Sequence, residues 1–139
     1  MIINQVMTTN VVTAPPGESL KYAAQIMEQH DYDVLPICED NRLLGTLSVR
    51  DIAVKALANG LSLEENSIEH FMAFEAKYVF SDQSTEHAIN FMTEHQLRRL
   101  LVLDRGYHLV GIVSLDDLAI SHKIKGIFAV KQQFTTMAC

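Results

Sequence analysis

The sequence predicts an α+β fold. It is built from two copies of one β-α-β-β-α unit, packed sheet to sheet about a pseudo-twofold axis. The first ground is an internal repeat, which is sought before anything else. At an offset of 65, Met7 falls on Met72, Ser19 on Ser84, Ala23 on Ala88, Met27 on Met92, His30 on His95 and Leu35 on Leu100. At an offset of 66, Leu43 falls on Leu109, Gly45 on Gly111, Ser48 on Ser114, Asp51 on Asp117 and Ala53 on Ala119. The second ground is where the offset changes: between 39–42 and 104–108, both polar turns, where an insertion costs least. The third is size. One unit of roughly 50 residues buries its sheet poorly, whereas two copies together do so without staples.

Each element has a local reason. Runs 11–13 and 77–80 are rich in β-branched and aromatic residues and read as short strands, ended by Pro15-Pro16-Gly17 and by Ser81-Asp82. Ser19 and Ser84 are N-caps for the helices that follow. In those helices Leu20, Ala23, Ala24 and Met27, then Ala88, Ile89 and Met92, recur at three- and four-residue spacing. Apolar runs 34–38 and 43–49, and 100–103 and 109–115, flank short polar turns, which is the pattern of a hairpin. Second helices are expected over 51–58 and 117–122. A polar linker, 59–66, leads to Ser67, expected to cap a short helical turn over 68–72. The domains so drawn are 1–66, 67–122 and a tail, 123–139.

Composition limits the function. The chain has 139 residues, 48% of them hydrophobic and 20% charged, which excludes intrinsic disorder. It carries no run of about 18 apolar residues, so no membrane span is expected. Two cysteines, Cys38 and Cys139, are too few for a disulfide framework, and no leader is evident at the start, so a cytoplasmic protein is expected. Eleven basic residues against 17 acidic ones argue against a nucleic-acid partner. The acid is concentrated in the first copy, where 1–66 holds four basic and nine acidic residues.

The ordered set Val6-Met7-Thr8, Ala23-Ala24-x-x-Met27, Leu35-Pro36 and Leu44-Gly45-Thr46-Leu47-Ser48-x-x-Asp51 resembles a CBS domain. So does its second rendering, Met72, Ala88, Met92, Leu100 and Val110-Gly111-Ile112-Val113-Ser114-x-x-Asp117. The resemblance covers about 2–122 and is to a tandem pair, a Bateman module of the stand-alone bacterial kind. It implies a regulatory protein without catalysis. Such a protein senses AMP, ADP, ATP or S-adenosylmethionine in clefts between the repeats, needs no catalytic cofactor, and pairs as a homodimer.

Residue by residue, the resemblance places Ser48 and Asp51, and Ser114 and Asp117, near ribose and phosphate. An Asp can accept from both ribose hydroxyls, and free N–H groups at a helix start favour phosphate. The glycine of the motif would let backbone approach the ligand closely. Ser-x-x-Asp before an apolar run is equally a capping box. Arg98 and Arg99 stand where the family places phosphate-holding basic residues, and the donor fork of Arg suits that role. They are equally readable as a solvated surface pair. Their mates, Asp33 and Val34, put an acid where phosphate would be repelled, so the two copies are not expected to be equivalent. Thr13, Ala14, Tyr78 and Val79 would line the adenine pocket, faced by Val34 and Pro36 and by Leu100. Plain core is the other reading for each. Pro36 within a strand suggests an edge or bulge whose backbone stays free for a base.

Enzyme signals are weak. None of the six histidines stands four residues from another on a helix, no nucleophile triad or phosphate-binding loop is present, and an enzyme with a zinc or redox site is the weakest of the alternative readings. His30 and His95 suit helix C-termini, and Cys38 reads as a small core hydrophobe. The outer helix faces, with Ile52, Val54 and Leu57, are expected to make the dimer. The tail, apolar and basic, is expected to pack on the first repeat or the dimer mate. The alternative is a ligand-free dimeric scaffold that docks a partner protein.

Overall fold

The computed structural model describes residues 1–122. The expected packing of the tail lies outside the described residues. The chain forms two compact units that do not follow the repeat boundaries. One runs from Val12 to Ala76; the other combines Met1–Val11 with the chain from Lys77 onward.

In the unit spanning 12–76, helix α1 (Leu20–His30) starts where Ser19 turns its hydroxyl to accept from the Tyr22 N–H at 3.1 Å. It ends at Asp31 in the left-handed region, φ 54°. Strands β1 (Val34–Glu39) and β2 (Arg42–Ser48) pair antiparallel through the two-residue turn Asp40-Asn41. Both turn residues have positive φ, which matches the right-handed twist of a hairpin. Leu20, Ala23 and Met27 meet Leu35, Ile37 and Leu47 in a core closed by Ile52, Ala56, Ile68, Phe71 and Met72.

The other unit has the same plan. Helix α2 (Thr85–His95) is capped by Ser84, which accepts from the His87 N–H at 3.0 Å. Its sheet has the order β3 (Tyr78–Phe80), β4 (Arg99–Leu103), β5 (Leu109–Ser114). Helix α3 (Leu115–His122) follows. Its core holds Ile3, Val79, Ala88, Met92, Leu100, Val102, Val113 and Leu118.

The first strand forms only in the second copy. Tyr78–Phe80 runs parallel to β4, with Tyr78 opposite Leu101 and Val79 opposite Val102. In the first copy the expected strand over 11–13 is absent, and a single bridge, Ala14 to Ile37, remains. Two prolines explain this. Pro36 stands where the second copy has Leu101, and Pro16 stands where it has Ser81, whose N–H donates to the Leu103 carbonyl at 2.9 Å. Neither proline has a donor, so the ladder stops on both sides of Ala14.

Each unit is completed by the segment that leads the other repeat. Ile3–Gln5 and Ile68–His70 are matched 3-10 turns, and Ile3 and Ile68 are fully buried. The Ile3 N–H donates to Gln83 O and the Ile68 N–H to Glu18 O, both at 2.9 Å. The following residues pair with the last strand of each sheet. Thr8 and Ile112 exchange two backbone bonds, at 2.8 and 2.9 Å, and so do Ala73 and Thr46.

This exchange gives the two motif glycines their reason. A Cβ on Gly45 would collide with the Ala73 carbonyl oxygen and lie 2.8 Å from Met72 Cε. One on Gly111 would lie 2.6 Å from Met7 Sδ and 3.0 Å from the Thr8 carbonyl oxygen. The backbone that closes on these glycines is the protein's own, not a ligand's.

Other expectations are corrected. Ser67 makes no side-chain cap; its backbone bridges to Ser19. The helix expected over 51–58 is a π-helical segment, Asp51–Ala56, followed by a 3-10 turn, Leu57–Asn59, that ends at Gly60 with φ 70°. Ile52 points into the core, only 6% exposed, while Val54 and Leu57 keep outward positions.

Candidate functional site

The candidate residues of each copy gather at one end of its sheet. In the second copy Arg99 opens β4 opposite Ser114, which closes β5. Arg98 precedes it, and its carbonyl accepts from the Leu115 N–H at 2.8 Å. Both arginine side chains are exposed. Leu100 and Val79 are core residues, 2% and 1% exposed, so they support the site from beneath rather than face it. Tyr78 is half-buried in β3. Its ring packs edge-on against Phe80, centroids 5.5 Å apart, and Tyr107, 6.4 Å apart.

The first copy repeats this corner with other chemistry. Val34 opens β1 opposite Ser48, and the exposed Asp33 precedes it with its carbonyl accepting from the Val49 N–H at 3.0 Å. An acid and a valine thus occupy the places of two arginines. Thr13 is half-buried, and Ala14 is buried against Ile37. Pro36 is buried in β1 beside a bulge at Ile37/Cys38. Its carbonyl is engaged by the Ala14 N–H at 3.2 Å, so that part of its backbone is not free for a base.

The Ser-x-x-Asp motifs form complete capping boxes. Ser48 Oγ accepts from the Asp51 N–H, and Asp51 Oδ2 accepts from the Ser48 N–H, both at 2.9 Å. Ser114 and Asp117 do the same at 3.0 Å. The capping reading therefore holds in both copies. It consumes one carboxylate oxygen and leaves the other.

What meets that second oxygen differs. Asp51 Oδ1 lies 3.0 Å from Lys55 Nζ, one helical turn on. The same ammonium donates to the Phe71 carbonyl at 3.2 Å. Burial pushes the Asp51 carboxyl up, but the Ser48 donors and the Lys55 ammonium outweigh it and hold the group below the usual carboxylate range. The place of Lys55 is taken in the second copy by Ser121, whose hydroxyl donates back to the Asp117 carbonyl at 2.9 Å. Among the described residues no donor meets Asp117 Oδ1. This asymmetry was missed, though an Asp and a Lys four residues apart on a helix is a readable signal.

Other reactive groups stay apart. Burial pushes the Cys38 thiol up, which makes it a poor thiolate source. His30 and His95 end their helices as expected, with the His95 ring 4.4 Å from that of Phe91. Among the described residues no three His, Cys, Asp or Glu side chains are gathered as metal ligands would be, and no helix is long and apolar enough to cross a membrane.

Comparison with known proteins gives this geometry its family. The chain belongs to the CBS domain family, whose model matches residues 3–57 and again 68–121. It is 36% identical over 119 residues to the CBS domain-containing protein YhcV of Bacillus subtilis, covering 86% of this chain and 84% of that one. It is 39% identical over 115 residues to Hypoxic response protein 1 of Mycobacterium tuberculosis, covering 82% and 80%. The crystal structure of Hypoxic Response Protein I with two coordinated zinc ions superposes with a TM-score of 0.76, covering 86% of this chain and 98% of that chain. The CBS domain pair of protein MJ0100, in complex with 5′-methylthioadenosine and S-adenosylmethionine, superposes with a TM-score of 0.73 at 26% identity, covering 88% and 96%.

Proposed function

We propose that this CBS pair is a non-catalytic regulatory module of the cytoplasm that binds an adenosyl ligand, with AMP, ADP and ATP the leading candidates. The observation that carries this reading is the corner formed by Arg98, Arg99, Ser114 and Asp117. A carboxylate fixed by its own capping box keeps one oxygen without a donor among the described residues, at a helix start that follows the strand end opposite Arg99. Asp117 would accept from ribose hydroxyls, Arg98 and Arg99 would hold phosphate, and Tyr78, backed by Val79 and Leu100, would border the base. The matching residues Thr13, Ala14, Val34, Pro36, Ser48 and Asp51 make a second, weaker candidate. The complex of the similar MJ0100 pair with S-adenosylmethionine supports the ligand class.

Calorimetric titration with AMP, ADP, ATP and S-adenosylmethionine tests this. Saturable binding of at least one is expected, with a rise in melting temperature, because a ligand that binds only the folded state raises apparent stability. No heat from any of the four would overturn the reading. We also propose a homodimer formed through the helical segment after β2, where Val49, Val54 and Leu57 are 51%, 53% and 56% exposed. Light scattering that finds only a 15.6 kDa species at micromolar concentration would refute the dimer. A regulated protein would then dock elsewhere on the module.

A further inference from the structure

We infer that Lys55 is a built-in plug. Its ammonium occupies the ligand-facing oxygen of the first copy's motif, so that an adenosyl ligand is accepted by the second copy alone. This rests on the adenosyl-binding reading above. The two copies offer matched atoms: Asp51 with Asp117, Ser48 with Ser114, Lys55 with Ser121, and the Phe71 carbonyl with that of Val6. In the first copy one ammonium satisfies two of these acceptors, Asp51 Oδ1 at 3.0 Å and Phe71 O at 3.2 Å.

A ribose hydroxyl would have to displace an ammonium–carboxylate ion pair to form a bond in which only the acceptor is charged, at a net loss. It would also strip Lys55 from a backbone carbonyl. In the second copy Ser121 is too short to span this distance and spends its hydroxyl on its own helix, 2.9 Å from the Asp117 carbonyl. Asp117 Oδ1 and the Val6 carbonyl have no donor among the described residues, so a ligand hydroxyl meets no competitor from those residues there. Lys55 is half-exposed, which alone would make its ion pair weak. The carboxylate it meets is only 15% exposed, and the backbone acceptor fixes the ammonium a second time.

The test exchanges the two residues in the full-length protein. Wild type, Lys55→Ser, Lys55→Met and Ser121→Lys are titrated with AMP and with S-adenosylmethionine, which has no phosphate for Asp33 to repel. Lys55→Met keeps the aliphatic stem, so the question survives if Lys55→Ser unfolds; circular dichroism melts check each variant. Wild type is expected to bind one equivalent per chain. Both Lys55 variants should gain a second equivalent of S-adenosylmethionine, and Ser121→Lys should lose about tenfold or more in affinity. Two equivalents in wild type, a single equivalent in both Lys55 variants, or unchanged affinity in Ser121→Lys would overturn the plug while leaving the adenosyl reading standing. No binding of either compound by any variant would overturn the plug, and the adenosyl reading falls with it when ADP and ATP also give no heat.

Discussion

The two copies place the same carboxylate in the same capping box and surround it with opposite chemistry. At Asp51 the neighbours are Lys55 and the acid-bearing corner Asp33-Val34; at Asp117 they are Ser121 and the corner Arg98-Arg99. The backbone-to-side-chain bonds that build the capping boxes agree to about 0.1 Å. Duplication thus preserved the turn, while the side chains one helical turn and one strand away diverged. A motif can therefore be structurally conserved between copies and chemically distinct, because capping needs one carboxylate oxygen and recognition needs the other.

The largest expected effect separates shared architecture from divergent chemistry. Ile3→Ala and Ile68→Ala each empty a fully buried site where an exchanged segment enters a core. Each should cost about 2–5 kcal/mol, measured by urea unfolding. Similar losses would show that both segments are equally integral; a negligible loss for one would show that its segment is only laid on the surface.

Next come the glycines. Gly45→Ala forces a methyl against a backbone oxygen, whereas Gly111→Ala first meets the flexible thioether of Met7. We expect about 3 kcal/mol for the former and about 1 kcal/mol for the latter in the same measurement. The reverse order would mean that the Met72-Ala73 crossing yields more easily than its mate.

Smaller still are the caps. Ser19→Ala and Ser84→Ala should each cost about 1 kcal/mol, because both hydroxyls accept one N–H at nearly the same distance. Unequal losses would show that the helices differ in how far packing alone holds them.

The last effect is one of pH. The folded Asp51 carboxyl lies below its ordinary value, so its contribution is present above about pH 4 and lost as the pH falls through the folded value. Lys55→Met should flatten the acid limb of the stability curve. An unchanged limb would mean that the Ser48 donors alone hold the carboxylate.

Much of this was legible in the sequence because it is local. The repeat, the Ser19 and Ser84 caps and the hairpins follow from spacing and turn chemistry. What escaped needs partners distant in the chain. The failed strand before Ala14 depends on Pro36, more than twenty residues away, and on what its mate Leu101 can do. Gly45 and Gly111 were credited with making room for a ligand, since nothing local reveals that Ala73 and Thr8 close on them. Ile52 was placed outside because a regular α-helix was assumed, and the π-helical turn changes which side chains face inward.

The exchange of leading segments also bears on synthesis. The unit spanning 12–76 is contiguous and can close as soon as Ala76 has left the ribosome, carrying Ile68 and its strand-pairing residues with it. Residues 1–11, made before that unit, have no β5 to pair with until more than a hundred residues later. This earlier-made segment is therefore buried after the unit that follows it, and Ile3 waits until its own core forms. A chain stopped after Ala76 would present one finished body with a dangling apolar end. Folding of the second body is what retires that end, so translation order makes residues 1–11 a latch that closes after the unit following it.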